Sequence, residues 1–287
     1  MIDAIGIVGQ GFVGGALNEG MKHAFRIETY DKFVKDRSTC NSLSALVTRA
    51  DVIFVCLPTP MRKNGSCDLR IVEETILEID KICEELEYLG KIAVIKSTIP
   101  PGTTRSLNDR VKYIQVVFNP EFLTEANAVE DFKNQTRIIV GGPRPGSSVV
   151  KNVFRKAFKQ TPIIKTGSNT AEMVKYFTNC FLSTKVSFCN EIKQICDPLD
   201  IDYDKVVEYA LYDSRLGKSH WSAPGPDGNL GFGGHCFPKD LNALMHLARS
   251  LGVDPRVMSG VWEKNLEVRT DAARDWEKMS GRAVSED

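Results

Sequence analysis

The stretch that decides the fold is "GIVGQGFVGGAL", residues 6–17. A short apolar strand pattern runs into Gly9-x-Gly11-x-x-Gly14, and a helical pattern follows. Glycines at this spacing, between strand and helix, turn the chain sharply and bring bare backbone up to a phosphate. Gly9 makes the turn, Gly11 admits the pyrophosphate, and Gly14 lets helix and strand pack closely. The helix N-terminus then favours negative charge. Taken alone the glycine pattern is weak, and the next strand strengthens it. "RIETYD" ends at Asp31, about 20 residues on, where the dinucleotide fingerprint places its carboxylate. That carboxylate accepts from a ribose 2′-hydroxyl and repels a 2′-phosphate. NAD is therefore expected rather than NADP, with Lys32 and Lys35 pulling the other way.

Outward from this stretch, the first half alternates apolar runs with amphipathic ones. "AIGIVG", "RIETYD", "DVIFVCLP", "KIAVIKST", "YIQVVFNP" and "RIIVGG" read as buried strands. Residues 69–86 have Ile71, Ile76, Ile79, Ile82 and Leu86 at helical spacing. Strand–helix alternation predicts an α/β class, a Rossmann-like doubly wound parallel sheet, over residues 1–167. Such sheets bind ligands beyond the carboxyl ends of their strands. There the sequence has Pro-locked, hydroxyl-rich turns, "CLPTP" (56–60) and "KSTIPPGTT" (96–104). Phe12, Val13, Thr59, Pro60, Ser97 and Thr98 join Gly9, Gly11, Gly14 and Asp31 as candidate cofactor contacts.

Residues 168–287 are predicted to form an all-helical domain. A helix opens near Asn169 and Glu172, read as a loose capping box, and closes at Pro198. Another covers 202–211. A last long helix is expected over 256–279, and "SGRAVSED" as a solvated tail.

Composition excludes several classes. Lys+Arg and Asp+Glu are both 37, so no broad field for nucleic acid or anionic lipid is expected. No apolar run approaches the ~18 residues of a membrane span. The eight cysteines form no C-x-x-C pair, no metal site is expected, and reduced thiols suggest a cytoplasmic protein.

Cys236 stands apart among them. In "GFGGHCFPKD", residues 231–240, it follows a glycine-rich loop and opens a helix with Pro238 in its first turn. A helix start and the nearby Lys239 favour a thiolate, and Asp240 shares its helix face. A thiol beside a nicotinamide suggests two successive oxidations. It traps an aldehyde as a thiohemiacetal, and the second oxidation leaves a thioester. Lys175 and Asn179, four apart on one helix, are candidates to stabilise the alkoxide; spacing alone equally allows an exposed polar stripe. Glu121 and Glu125 in "NPEFLTEA" read as an acid/base pair or as a helix N-terminal charge cluster.

These stretches, with "AEMVKYFTNCFLSTKVSFCNEI" (171–192), resemble the nucleotide-sugar dehydrogenase family in motif and in order. The resemblance implies Cys236 as nucleophile and Asp240 with Thr98 holding a water for proton transfer. It implies Lys175 and Asn179 at the oxyanion, Glu121 in thioester hydrolysis and Glu125 near the nicotinamide. Phe122, Leu123, Arg215, Gly231, Phe232 and Gly233 would join Glu121, Lys175 and Asn179 in binding the sugar nucleotide. UDP-glucose is the expected substrate, with GDP-mannose and UDP-N-acetylmannosamine as alternatives. A homodimer through the 256–279 helix is expected. Two features depart from the family. The loop between Arg215 and Cys236 is longer, and family members usually continue into a further α/β domain. A single-step hydroxyacid dehydrogenase is the rival enzyme class, and a nucleotide-sugar-binding subunit with weak turnover the second rival.

Overall fold

A computed structural model describes residues 2–286. The chain divides into two compact units. One holds the residues up to Thr59 and Leu69–Lys175; the other holds Pro60–Asp68 and the residues from Tyr176 onward.

The first unit is a seven-stranded sheet in the order β2-β1-β3-β4-β5-β6-β7. Its strands are β1 (Ala4–Val8), β2 (Arg26–Tyr30), β3 (Val52–Val55), β4 (Lys91–Ile95), β5 (Ile114–Phe118), β6 (Ile138–Gly141) and β7 (Ile163–Thr166). The five inner strands are buried because both faces are covered, as parallel sheets require, while the edge strands β2 and β7 are partly exposed. Alternation along each strand sorts the side chains. Ile5, Ile7, Val52, Phe54, Ile92 and Val94 pack with α1 (Phe12–Met21), α5 (Ala128–Lys133) and α6 (Gly146–Ala157). Val8, Ile53, Val55, Ala93 and Ile95 pack with α2 (Leu43–Arg49), α3 (Arg70–Glu85) and α4 (Thr103–Arg110). In α3 the inward face is Val72, Ile76, Ile79, Ile82 and Cys83, while Ile71 is exposed.

The expected all-parallel sheet needs one correction. β6 meets β5 antiparallel, through Phe118 and Gly141, and β7, absent from the sequence reading, runs parallel to β6. The connection between them, residues 119–137, carries a 3-10 turn (Glu125–Asn127) and the six-residue α5.

Helix α7 (Ser168–Cys196) begins in the first unit and continues into the second. Its Glu172 does not act as a local capping box. The fully buried carboxylate instead accepts from the N–H groups of Gly102 (2.7 Å) and Thr104 (2.8 Å), capping α4. Gly102, the residue before α4, sits at φ +102° and no side chain of its own turn caps that helix.

The second unit adds α8 (Tyr203–Ala210), α9 (Cys236–Ser250) and α10 (Arg256–Val268). Asp202 caps α8 by accepting from Asp204 and Lys205 N–H. The helix expected over 256–279 stops at Val268. The chain continues as short 3-10 turns, Asp271–Ala273 and Asp275–Lys278, and Trp276 is buried. The tail expected to be solvated also packs. Ala283 is buried, and its carbonyl accepts from Met61 N–H (2.8 Å) while Ser285 N–H donates to Met61 O (2.7 Å). Residues 60–68 thereby gain a β-like partner within this unit.

Candidate active site

In the first unit the glycine turn has the geometry an NAD pyrophosphate needs. Gly9 has φ +90°, and a Cβ there would sit 2.4 Å from Cys56 O. A Cβ on Gly14 would sit 1.9 Å from Gly9 O, so helix and turn touch backbone to backbone. A Cβ on Gly11 would meet nothing within 4 Å, the open approach expected of the second glycine. No side chain caps α1 at Gly11. Asp31 is tied to this turn: one oxygen accepts from Gln10 N–H (2.7 Å), the other from Phe33 (2.8 Å) and Val34 (2.9 Å). Burial works against its charge, but these three donors and Lys35 hold its carboxyl below the usual range. A carboxylate so held has acceptor capacity left for a ribose hydroxyl. The residues present therefore fit a dinucleotide.

The next two strand ends are laced together. Leu57 N–H donates to Ser97 Oγ (3.0 Å), Ser97 Oγ to Leu57 O (2.6 Å), and Thr59 Oγ1 to Thr98 O (2.9 Å). Thr59, Ser97 and Thr98 are all buried. Phe12, at the start of α1, is half exposed and Val13 half-buried.

Beyond β5, Glu121 meets the first turns of α7. Lys175 Nζ donates to both Glu121 Oε1 and Glu121 O, each at 2.8 Å, and Leu123 N–H donates to Glu121 Oε2 (2.7 Å). Burial opposes the Glu121 charge, yet Lys175 and the Leu123 N–H hold its carboxyl below the usual range. Lys175 is thus an ion-pair partner of Glu121 rather than part of an exposed stripe. The Phe122 ring lies 4.1 Å from the Arg137 guanidinium and 5.6 Å from Lys175 Nζ. Glu125 opens an exposed 3-10 turn, apart from this pair in character.

In the second unit α9 begins at Cys236. Of the eight cysteines, five are buried, Cys56 and Cys67 are half-buried, and Cys236 is exposed. One turn on, Asp240 is buried and doubly held, by Lys239 Nζ on Oδ1 (2.5 Å) and Asn179 Nδ2 on Oδ2 (2.6 Å). Burial disfavours the Lys239 ammonium, but Asp240, Cys236 and Cys67 overcome this and raise its pKa. Asn179 is therefore engaged with the carboxylate rather than displayed on a solvated face. Pro60 is buried in this unit. Gly231 and Phe232 are buried and Gly233 half-buried. Arg215, the candidate substrate arginine, is exposed and forks onto Asp213 (Nε to Oδ1, 2.9 Å).

Residues 27–160 match the NAD binding domain of the UDP-glucose/GDP-mannose dehydrogenase family, and residues 169–267 match its central domain. The chain belongs to the UDP-glucose/GDP-mannose dehydrogenase family. It is 35% identical over 238 residues to UDP-glucose 6-dehydrogenase TuaD of Bacillus subtilis, covering 80% of this chain and 49% of that protein. Among solved structures it resembles a UDP-glucose dehydrogenase of the archaeon Pyrobaculum islandicum. The TM-score is 0.84 at 29% identity, over 92% of this chain and 68% of that one. A GDP-mannose dehydrogenase of Pseudomonas aeruginosa aligns with a TM-score of 0.67 at 26% identity, over 92% of this chain and 68% of that one. The chain spans about half the length of several curated relatives it matches.

Within this family frame, Asp31, Ser97, Thr98, Glu121 and Glu125 fall in the NAD binding match, and Lys175, Asn179, Cys236 and Asp240 in the central match. Sequence reasoning missed Lys96. It is buried at the end of β4, with Nζ 2.7 Å from Asn119 Oδ1, beside Cys56, Glu121 and Lys175. Burial lowers its pKa to about 8 and raises that of the Cys56 thiol to about 12. The signal was available: a lysine joined directly to a strand buried on both faces has little water to reach.

Proposed function

We propose that this chain oxidises C6 of UDP-glucose to the carboxylate, an NAD-dependent four-electron reaction, through a thiohemiacetal and a thioester on Cys236. The observation that carries the reading is the exposed Cys236 thiol at the start of α9, with Lys239 and Asp240 close behind it and Asn179 of α7 bonded to Asp240. NAD, when bound, supplies the electron acceptor for each of the two oxidations. The chain's own residues do the rest. The glycine turn and Asp31 bind and orient the dinucleotide. Asp240 and Thr98 hold a water that takes the C6 hydroxyl proton as the aldehyde forms. The Cys236 thiolate adds to the aldehyde carbon, its nucleophilic form favoured by the helix start and the nearby ammonium. Lys175 and Asn179 donate to the alkoxide that develops. The second oxidation leaves a thioester, and Glu121 draws a proton from the water that attacks it, releasing acid and thiol.

Motif order and family membership favour nucleotide-sugar chemistry; the UDP-glucose choice rests on the relatives' names. A single-step hydroxyacid dehydrogenase has no use for Cys236. Among the described residues no helix is long and apolar enough to cross a membrane; we propose a cytoplasmic location on the expectation of reduced cysteines.

We also assign a homodimer to α7 rather than to residues 256–279. Phe177, Phe181, Phe188 and Ile195 form an exposed apolar stripe along α7, more than a monomer normally leaves to water.

The test is an NADH absorbance assay over UDP- and GDP-sugars with mass analysis of the product. UDP-glucose is expected to yield the uronic acid, and Cys236→Ser to bind NAD normally and form none. Full acid formation by the serine variant refutes the thioester route. Turnover on GDP-mannose or UDP-N-acetylmannosamine alone shifts the substrate and keeps the chemistry. NAD binding without turnover on any of them favours a binding subunit.

A further inference from the structure

The glycine loop before Cys236 is held from behind by buried polar side chains. Asn190 Oδ1 accepts from Gly231 N–H (3.1 Å). Asn265 reads both polar groups of Phe232: Oδ1 accepts its N–H (2.7 Å) and Nδ2 donates to its carbonyl (3.1 Å). Asp275 accepts from Gly234 N–H at 3.1 and 3.2 Å. Arg269 donates to Leu230 O (3.3 Å), to Ala273 O (2.7 Å) and to Asp227 Oδ2 (2.6 Å), and lies 3.7 Å from Asp275. Asn190 and Arg269 are 2% exposed and Asn265 0%. The backbone from Leu230 to Gly234 is thus fixed by directional bonds from α7, from α10 and from the turn after it.

This platform explains two of the glycines. A Cβ on Gly231 would lie 2.4 Å from Asn265 Oδ1. A Cβ on Gly233 would lie 2.3 Å from Arg269 Nη2 and 2.4 Å from Asp275 Oδ1. The protein's own buried groups, before any substrate, require glycine there. Burying a guanidinium with two carboxylates yields little net stability, since an apolar core of the same shape serves as well. What a fully bonded polar network adds is a fixed backbone position. Cys236 follows Gly234 by two residues, at the first position of α9.

We propose that Asn265, Arg269 and Asp275 are positioning residues for the Cys236 thiol. Asp227 braces the same platform, which ties the long 217–230 loop to it. The inference rests on the reading of Cys236 as nucleophile, but not on the identity of the sugar.

The experiment uses the full chain with Asn265→Leu and Arg269→Lys, checked for folding by circular dichroism and melting. The rate of Cys236 alkylation by iodoacetamide is followed from pH 5 to 9 by peptide mass spectrometry, with kcat and both KM values measured alongside. Folded variants are expected to bind NAD as the parent does, to show a displaced pH profile of alkylation, and to lose on the order of 10- to 100-fold in kcat. A parental alkylation profile with parental kcat in folded variants overturns the proposal. If either variant fails to fold, Asp275→Asn, at the half-exposed rim, is read by the same two criteria. If the parent turns over no sugar, the proposed activity fails, while the alkylation profile still decides the positioning claim.

Discussion

The fold works against the protonation of Lys96. Its ammonium is buried with one hydrogen-bond acceptor, Asn119 Oδ1, and burial brings its pKa down to about 8. The favourable fields of Cys56 and Glu121 do not offset this, and Lys175 adds to it. A lysine with a lowered folded pKa binds its proton less well folded than unfolded. Below pH 8 both states are protonated and the folded state bears the full cost. Between pH 8 and the ordinary lysine range the folded state sheds the proton first, and stability rises. Lys96→Met carries no such dependence. Urea unfolding at pH 7 and pH 10 is expected to move the parent-minus-variant difference by about 1–3 kcal/mol in favour of the parent; an unchanged difference contradicts the burial account. At this scale Cys236 was legible because no β-branched or aliphatic residue lies within three positions of it. The partners of Lys175 and Asn179 were not. Spacing says which residues share a helix face, but not that Glu121 and Asp240 meet them there.

Among elements, the sheet was readable from alternation and the glycine turn from its context. The errors lie where one element's end is satisfied by another element. Glu172 looked like a local cap, yet it closes α4, whose first N–H groups have no cap from their own turn. Glu172→Gln keeps the shape but turns an NH2 toward a backbone donor. A loss of about 1–3 kcal/mol is expected in denaturant unfolding; a loss under a few tenths argues that water replaces the contact. The helix expected over 256–279 ends at Val268 although the apolar spacing continues to Trp276. The continuing signal is real burial, reached through 3-10 turns that let Arg269 and Asp275 face the glycine loop. The tail was misread for a related reason. Its short "RAV" carries no periodicity, and its burial comes from pairing with Met61, far away in sequence.

For the molecule as a whole, the exposed stripe on α7 sets the expected assembly. The Phe177 and Phe181 rings lie parallel, 6.2 Å apart, and Phe188 and Ile195 continue the line. Phe181→Glu together with Phe188→Glu puts two charges into that face. Sedimentation is expected to give a dimer for the parent and a monomer for the double variant; a parental monomer, or a variant that stays dimeric, removes α7 as the interface. The two-unit plan itself serves many chemistries, because function lives in sites rather than folds.

The most direct measurement is the number of NADH formed per sugar consumed to completion. A thiol that traps the aldehyde and passes through a thioester predicts two NADH and one acid from the parent, with no free aldehyde, and no acid from Cys236→Ser. One NADH per sugar, with aldehyde as the product of the parent chain, would contradict the account.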